Sequence, residues 1–433
     1  MKQYDSYKDS GVEWIGEVPS HWEVMKTSLA FHGIGSGTTP STSKKEFYDE
    51  NDGYYWLQTG DLNDGIINET SKKVTKFAIS QCNLKFYPKD SIVIAMYGAT
   101  IGKVGILGIK TATNQACCVL PTNKNMNAKF AFYEFLACKP ALLVSAIGGG
   151  QPNISQDVIR KQKIVIPPLL EQTAIASYLD KKCTEIDKVI SAQQKRIALL
   201  QKLKQSIITH AVSKGLNPNV EMKDSGVEWI GNVPSHWEVK KTSLAFNGIG
   251  SGTTPSTSKK EFYDDEGKFW LQTGDLNDGM IFETSKKVSD IAIKVCNLKF
   301  YPKDSVVIAM YGATIGKVGI LGIKAATNQA CCVLPANKHM IAKYSFYEFL
   351  ACKPALLVSA IGGGQPNISQ DTIKKQKIVV PPKGEQQAIA DYLDVKCSLM
   401  DKSISKAQHQ VELLQEYKQS LITEVVTGKR KVS

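Results

Sequence analysis

The chain has 433 residues, 42% hydrophobic and 22% charged, the balance of a soluble globular protein with room for two to four domains. Its 53 Lys and Arg against 41 Asp and Glu leave a formal charge of +12, an excess that favours a polyanionic partner, nucleic acid above all. No apolar run is long enough to cross a bilayer and the polar start, Met1–Ser10, is no signal peptide, so a cytoplasmic protein without a membrane partner is expected.

The opening stretch YKDSGVEWIGEVPSHWEV, Tyr7–Val24, returns as MKDSGVEWIGNVPSHWEV at Met222–Val239. The offset is 215 at Gly11/Gly226 and 214 at Trp56/Trp270, so one residue is lost from the loop near Asp49–Tyr55. Cys82–Pro121 then matches Cys296–Pro335 with two differences in 40 positions, Ile92/Val306 and Thr111/Ala325. A period this long is a domain set written twice, not a solenoid.

Within a copy, Tyr54–Gln58, Ile92–Met96, Lys103–Leu107 and Cys117–Leu120 are short apolar runs bounded by Gly or Pro, and they predict strands. Ala128–Cys138 predicts an amphipathic helix that ends at Lys139-Pro140. GGGQPNIS, Gly148–Ser155, predicts a flexible loop, after which Ser155 and Asp157 cap a short helix. Lys163–Pro167 predicts a last strand. From Glu171 to about Val212 there is no Gly or Pro, and Leu179, Ile186, Gln193, Leu200 and Ile207 recur every seven residues. Cys183, Ile190, Ile197, Lys204 and Ala211 follow each by four. The second copy repeats both rows: Leu393, Met400, Ala407, Leu414 and Leu421, then Cys397, Ile404, Val411, Lys418 and Val425. These are heptad seams on helices of roughly 60 Å, too long for one small domain to cover, so the two helices are expected to pair with each other. Antiparallel pairing relates the two copies by a twofold and suits two inverted half-sites. Lys204 and Lys418, inside the seam, are expected to snorkel to the coil surface.

The expected architecture is therefore α+β. Mixed α/β domains at 1–168 and 216–382 each precede a long helix, at 169–215 and 383–428, and the helices form an antiparallel coiled coil.

Catalytic patterns are missing. GATIGKV, Gly98–Val104, has three residues between its glycines and Val after the lysine, so it reads as a tight turn and not a phosphate loop. GIGSG, Gly33–Gly37, lacks dinucleotide-binding spacing and reads as a mobile loop. No Asn/Asp-Pro-Pro-aromatic tetrad of an amino-methyltransferase occurs. His21 and His236, each between Ser and Trp, read as turn or capping residues. Asp61 and Asp64 (Asp275 and Asp278) flank Asn63 (Asn277) in a turn and do not read as metal ligands. The 10 cysteines form no C-x-x-C pair, and the neighbours Cys117-Cys118 and Cys331-Cys332 read as small buried side chains.

GVEWIGEVPSHWEV, WLQTGDLNDG, GATIGKVG, ATNQA and GGGQPNIS…IPPLLEQTAIASYLDKKCTEID together resemble the specificity subunit of Type I restriction–modification systems, over nearly the whole chain and twice. The most specific stretch is Pro-Pro-x-x-Glu-Gln-x-x-Ile-x-x-x-Leu-Asp, Pro167–Asp180 and Pro381–Asp394; Lys383-Gly384 departs from its usual apolar residues and is expected to loosen that junction. The resemblance implies two target recognition domains on an antiparallel helical spacer, reading double-stranded DNA. It implies no catalysis and no cofactor in this chain. Two methyltransferase subunits using S-adenosylmethionine and restriction (motor-nuclease) subunits using ATP and Mg²⁺ would be the partners. Near-identical domains imply an interrupted palindrome, although the loop near Asp49–Tyr55 and Phe282 leave room for one base to differ. A protein-binding coiled-coil scaffold without nucleic acid is the alternative.

Phosphates call for Lys, Ser, Thr and backbone N–H, and base edges for Asn, Gln, Arg or Lys. The candidates are the polar residues of the Gly-rich loops: Ser36, Thr38, Thr39, Ser41, Lys44, Lys45, Gln58, Thr59, Tyr97, Thr100, Lys103, Asn114, Gln115, Gln151 and Asn153. Their second-copy equivalents are Ser251, Thr253, Thr254, Ser256, Lys259, Lys260, Gln272, Thr273, Tyr311, Thr314, Lys317, Asn328, Gln329, Gln365 and Asn367.

Overall fold

A computed structural model describes residues 3–49, 51–146, 153–360 and 367–432. In the first copy the strands are β1 (Tyr7–Asp9), β2 (Glu17–Pro19), β3 (Glu23–Lys26), β4 (Gly35–Ser36), β5 (Tyr54–Leu57), β6 (Gly65–Ile67), β7 (Lys72–Val74), β8 (Phe86–Tyr87), β9 (Ile92–Ala95), β10 (Val104–Leu107), β11 (Thr111–Thr113), β12 (Cys117–Leu120) and β13 (Lys163–Ile166). The helices are α1 (Thr27–Ala30), α2 (Lys76–Gln81), α3 (Ala128–Val144), α4 (Gln156–Lys161) and the long α5 (Leu169–Lys214). The second copy repeats them as α6 (Thr242–Ala245), α7 (Asp290–Val295), α8 (Ala342–Val358), α9 (Gln370–Lys375) and the long α10 (Lys383–Val426).

The first copy holds a five-stranded sheet, β4-β12-β9-β10-β6, and a four-stranded sheet, β7-β5-β11-β8. Strand side chains alternate between faces, which explains the continuous apolar runs. Ile92, Ile94, Val104, Ile106, Cys118 and Leu120 join the core with Phe130 and Phe135 of α3. Their neighbours Val93, Ala95, Leu107, Cys117 and Val119 join a second core with Leu57, Leu62 and Tyr87. Cys117 and Cys118 thus point to opposite faces, where burial pushes the Cys118 thiol up to about 12 and Cys117 higher still. They are packing residues, and among the described residues no His/Cys/Asp/Glu group is placed to hold a metal.

Two expectations are corrected here. GIGSG is not a free loop: Gly35 and Ser36 pair with Val119 and Cys118 as an edge strand, and a Cβ on Gly37 would lie 1.7 Å from the Thr113 carbonyl oxygen. The helix starting at Ala128 does not stop at Pro140 but runs through it to Val144. Proline leaves the carbonyl four residues back without its amide partner. That carbonyl, Leu136 O, instead accepts from Gln419 Nε2 of α10 at 3.2 Å. In the second copy Pro354 is continued the same way, with Gln205 Nε2 of α5 donating to Leu350 O at 3.1 Å. The GATIGKV segment is the expected tight turn, with Gly98 and Gly102 at φ 86° and 74°. Ser155 caps α4 by accepting from Val158 N.

The chain forms two compact units, residues 1–194 with 409–433, and residues 195–408. In the first unit the α5 and α10 segments run antiparallel. Glu171, in the first turn of α5, accepts from the Trp22 indole at 3.0 Å, and Gly428, just past the end of α10, packs on that same ring. Further along α5, Asp187 meets Lys418, further back along α10, at 2.7 Å. The second unit repeats the pattern with Glu385 on Trp237 (2.9 Å), Gly215 against Trp237, and Asp401 on Lys204 (2.7 Å). Lys204 and Lys418 therefore do not simply snorkel; each reaches a carboxylate on the opposite helix and marks the register. Of the seam residues, Leu179, Cys183, Ile186, Ile190, Leu393, Cys397, Val411 and Leu421 are buried, while Ile197, Leu200, Ile207, Met400, Ile404 and Leu414 are half-buried.

His21 and His236 are anchors more than turn residues: each Nε2 lies 2.7 Å from Glu171 or Glu385. Burial raises the Glu171 carboxyl, but hydrogen bonds from His21, Trp22 and Tyr4 outweigh it and hold the group below the ordinary carboxylate value. Lys383-Gly384 does not loosen the second junction, because the Glu385 contacts persist and Gln386 Nε2 donates to Pro381 O at 2.9 Å, as Gln172 does to Pro167 O.

Candidate nucleic-acid interface

Five loops converge where β5, β9 and β11 end. β5 and β11 are parallel, so Gln58 and Thr59 follow one strand and Asn114 and Gln115 the other, with Asn114 N donating to Leu57 O at 2.9 Å. β9 ends beside the start of β12, where Met96 N donates to Ala116 O at 2.8 Å and delivers Tyr97 next to Gln115. The Tyr97–Lys103 turn, with Thr100, therefore stands at the same edge. β4 delivers the fourth loop: Thr38 N donates to Thr113 O (3.0 Å), Thr38 O accepts from the Trp56 indole (3.1 Å), and the Thr39 hydroxyl donates to Gln115 Oε1. Asn153 bridges to Tyr97 as the fifth.

The structure thus brings together Ser36, Thr38, Thr39, Gln58, Thr59, Tyr97, Thr100, Lys103, Asn114, Gln115 and Asn153. Thr38, Thr39, Gln115 and Asn153 are exposed, while Ser36, Gln58, Thr59, Tyr97, Thr100, Lys103 and Asn114 are half-buried. Asp61 and Asp64 serve the scaffold of this edge. Asp61 accepts from Gln58 N (2.8 Å) and Ser71 N (3.0 Å); Asp64, at φ 56°, accepts from Val104 N (2.8 Å). Ser41, Lys44 and Lys45 are not part of the cluster. Ser41 bonds Ser43, Lys44 lies 5.1 Å from the Phe47 ring centroid, and Phe47 packs with Val74 and Ala78. Tyr48 closes this segment back onto the sheet: it bridges to Val74, its hydroxyl donates to Pro40 O at 2.7 Å, and Lys72 Nζ lies 5.7 Å from its ring centroid. Gln151 and Gln365 lie outside the described residues.

The second copy assembles the same edge. Asn328 N donates to Leu271 O (2.9 Å), the Trp270 indole to Thr253 O (3.1 Å), and Tyr311 bridges to Asn367. Ser251, Thr254, Gln272, Thr273, Thr314, Lys317 and Gln329 take equivalent places, and Ser256, Lys259 and Lys260 again lie away, with Lys259 over Phe262.

One basic residue at this edge was not among the candidates. Lys72 pairs with Trp56 near the end of β5 and is exposed, and Lys286 repeats it opposite Trp270. The signal was available in the repeated Ser-Lys-Lys-Val of residues 71–74 and 285–288. Phe282, which stands in place of Asn68, follows the strand parallel to that of Val318–Leu321 and so lies at the far end of the sheet.

Two α+β domains, each presenting a polar, lysine-flanked loop edge and each leading into one helix of an antiparallel pair, define a two-site recognition protein with no catalytic centre among the described residues. The sequence matches the Type I restriction modification DNA specificity domain over residues 19–201 and again over 234–412, and the chain belongs to that family as a non-catalytic specificity subunit. It is similar to the MjaIX and MjaVIII specificity subunits of Methanocaldococcus jannaschii, 23% identical over 96% of this chain and 95% of the relative, and 26% identical over 96% and 94%. It is also 20% identical to the EcoKI specificity subunit of Escherichia coli K12, over 95% and 90%. A chain from a structural study of assembly and conformational transition in the type I R-M system shares the fold, with TM-score 0.71 and 15% identity over 94% and 98% of the two chains. So does the HsdS subunit of Thermoanaerobacter tengcongensis, at 0.50 and 14% over 95% and 98%. A scaffold without nucleic acid is set aside by this membership. No described helix is long and apolar enough to cross a membrane.

Proposed function

We propose that each loop edge reads one half of a bipartite duplex DNA target and that both half-sites have one base sequence in inverted orientation. The observation that supports this is residue identity: Ser36–Lys45, Gln58–Asp64, Tyr97–Lys103, Asn114, Gln115 and Asn153 recur unchanged as Ser251–Lys260, Gln272–Asp278, Tyr311–Lys317, Asn328, Gln329 and Asn367. Identical side chains on matching strand ends offer base edges the same donors and acceptors. Inversion is the orientation that antiparallel helices give to two equal readers. On this reading residues 1–168 and 216–382 are the recognition domains, and Lys72, Lys103 and their repeats contact phosphate. Methyltransferase subunits dock on the long helices and supply adenine methylation with S-adenosylmethionine, and restriction subunits supply ATP- and Mg²⁺-dependent cleavage. Single-molecule sequencing of DNA methylated by the assembled complex tests it. An interrupted palindrome is the expected motif, and two unrelated half-sites refute the equivalence of the readers.

A further inference from the structure

The strand ends of each copy hold one exposed side-chain amide in a fixed frame. Of the amides at the loop edge, Asn114 spends its side-chain oxygen on Ala116 N at 3.2 Å, and Asn328 does the same for Ala330 N at 3.1 Å. Gln58 and Gln272 are half-buried. Gln115 and Gln329 are exposed, and each stands between two pinned neighbours. Asn114 N donates to Leu57 O at 2.9 Å and Met96 N to Ala116 O at 2.8 Å; Asn328 N to Leu271 O and Met310 N to Ala330 O repeat both distances.

A second loop closes over the same turn. Gly37 N donates to Asn114 O at 3.3 Å, and Gly252 N to Asn328 O at 3.2 Å. No side chain fits there: a Cβ on Gly37 or Gly252 would fall 1.7 or 1.6 Å from the Thr113 or Thr327 carbonyl oxygen. This loop delivers Thr39, whose hydroxyl donates to Gln115 Oε1. Thr254 holds the equivalent place. Tyr97 meets the other end of the Gln115 amide. Burial, with Cys117 nearby, raises the Tyr97 hydroxyl, and a hydrogen bond donated by Gln115 pulls the other way.

An amide oxygen accepts two hydrogen bonds and an amide nitrogen donates two. With Thr39 on one acceptor position and Tyr97 on one donor position, Gln115 keeps one acceptor and one donor in a fixed order. Adenine is the base whose major-groove edge complements that pair, an N6–H donor beside the N7 acceptor. Guanine presents two acceptors, cytosine one donor and thymine one acceptor, so each leaves an end of the amide unmatched.

We propose that Gln115 and Gln329 each read the adenine of an A·T pair in the half-site, and that Thr39 is the positioning residue that fixes which end of the amide meets N6 and which meets N7. The inference rests on the reading that each loop edge reads one half of a duplex target, and it names the base pair that this side chain selects. Thr39 touches no base and acts through Gln115.

The test is fluorescence anisotropy of the assembled methyltransferase complex with duplexes carrying its methylated motif, altered one base pair at a time in one half-site or in both. Replacing one A·T pair should weaken binding by the unaltered complex about tenfold or more. With Gln115→Ala that replacement should be tolerated in one half-site and rejected in both. With Gln115→Ala and Gln329→Ala together it should be tolerated in both, every other position keeping its discrimination. Gln115→Glu keeps the shape but only accepts, so it should favour C·G at that pair in one half-site through cytosine N4. Thr39→Val should lower discrimination at that pair alone and Thr39→Ser should restore it, whereas a purely structural role would weaken binding to all duplexes equally. Relaxation at a G·C pair, or a Thr39→Val loss spread over every position, would overturn the proposal. Binding lost on every duplex by Gln115→Ala and Gln115→Glu alike would make Gln115 part of the loop frame and overturn it too. Unchanged discrimination in both variants, with the unaltered complex still rejecting replacements in each half-site, would overturn Gln115 as the reader and leave the bipartite reading standing. An unaltered complex indifferent to replacements in one half would remove that reading as well.

Discussion

At one buried position the two cores differ by a single oxygen atom, Phe130 against Tyr344, and that difference has a measurable consequence. In the second copy Glu348 is fully buried, accepts from Val379 N at 2.8 Å, and has its other oxygen 3.3 Å from the Tyr344 hydroxyl. That hydroxyl also lies 3.2 Å from Val379 O and 3.4 Å from Val212 O. Burial pushes the Glu348 carboxyl up to about 8, against the pull of the hydrogen bonds that it accepts from Val379 N and the Tyr344 hydroxyl. In the first copy Tyr344 is replaced by Phe130, and Glu134, which accepts from Val165 N at 2.8 Å, has an oxygen with no partner. Leaving a buried polar atom unpaired costs about 1–3 kcal/mol, and a net hydrogen bond contributes about 1 kcal/mol. Phe130→Tyr, with the Val165 and Val426 carbonyls as counterparts of those at Val379 and Val212, should therefore stabilise the first unit by about 1–2 kcal/mol. Tyr344→Phe should destabilise the second by as much. Hydrogen exchange followed by mass spectrometry reads each unit separately: peptides carrying the Val165 amide should exchange about tenfold more slowly in the first variant, and those carrying Val379 about tenfold faster in the second. Faster exchange at Val165 in Phe130→Tyr, or unchanged exchange at Val379 in Tyr344→Phe, would refute the pairing argument.

The same two carboxyls predict a pH dependence. Their folded pKa of about 8 stands above the ordinary value of 4.5, so the folded state holds protons that the unfolded state has released. Stability should be fully present below about pH 4.5 as far as these groups are concerned and fall towards pH 8 by about 1.4 kcal/mol per unit for each; in urea melts Glu134→Gln should flatten that slope by one group's share. Gln419→Ala should re-expose the carbonyl orphaned by Pro140 and cost the first unit about 1–2 kcal/mol, and Gln205→Ala should cost the second unit the same, read as separate losses of exchange protection. Gln115→Ala and Gln329→Ala should each relax one base position by about 1–3 kcal/mol, in mirrored halves of the methylated motif. Lys72→Ala should weaken DNA binding without altering the motif, lowering the salt slope by about one.

The repeat and the heptad seams were legible because both are periodic, and period survives without knowledge of contacts. The buried strands were legible for a related reason: Ile92–Ala95 and Cys117–Leu120 are apolar on both faces because each face has its own core. What was not legible depended on partners remote in sequence. Pro140 looks like a helix end unless Gln419 is known to stand beside Leu136. Gly35 and Ser36 look like a mobile loop until β12 is placed alongside. Lys418 looks like a surface lysine until Asp187 is brought opposite. Among the loop candidates, residues immediately after strands fell on the shared edge. Lys44 and Lys45, several residues beyond a strand, belong to a segment that folds onto the sheet through Phe47.

The repeat, moreover, is not the unit that packs. The first unit takes residues 409–433 from the far end of the chain, and its core includes Leu421, Ile422, Val425 and Val426 beside Ile175, Leu179 and Cys183. The second is closed likewise by Ile208, Ala211 and Val212 of α5 against Ile389, Leu393 and Cys397 of α10. In each unit, then, the surface that sets the helix pairing is also part of the recognition domain's core. A parallel arrangement would not merely repack a coiled coil; it would remove the tail of one helix from the wall of each domain and leave Leu136 O and Leu350 O without their glutamines. The direction of the pairing is therefore fixed by domain packing as well as by the seam, which explains how a seam containing Gln193, Lys204 and Lys418 can still specify one register.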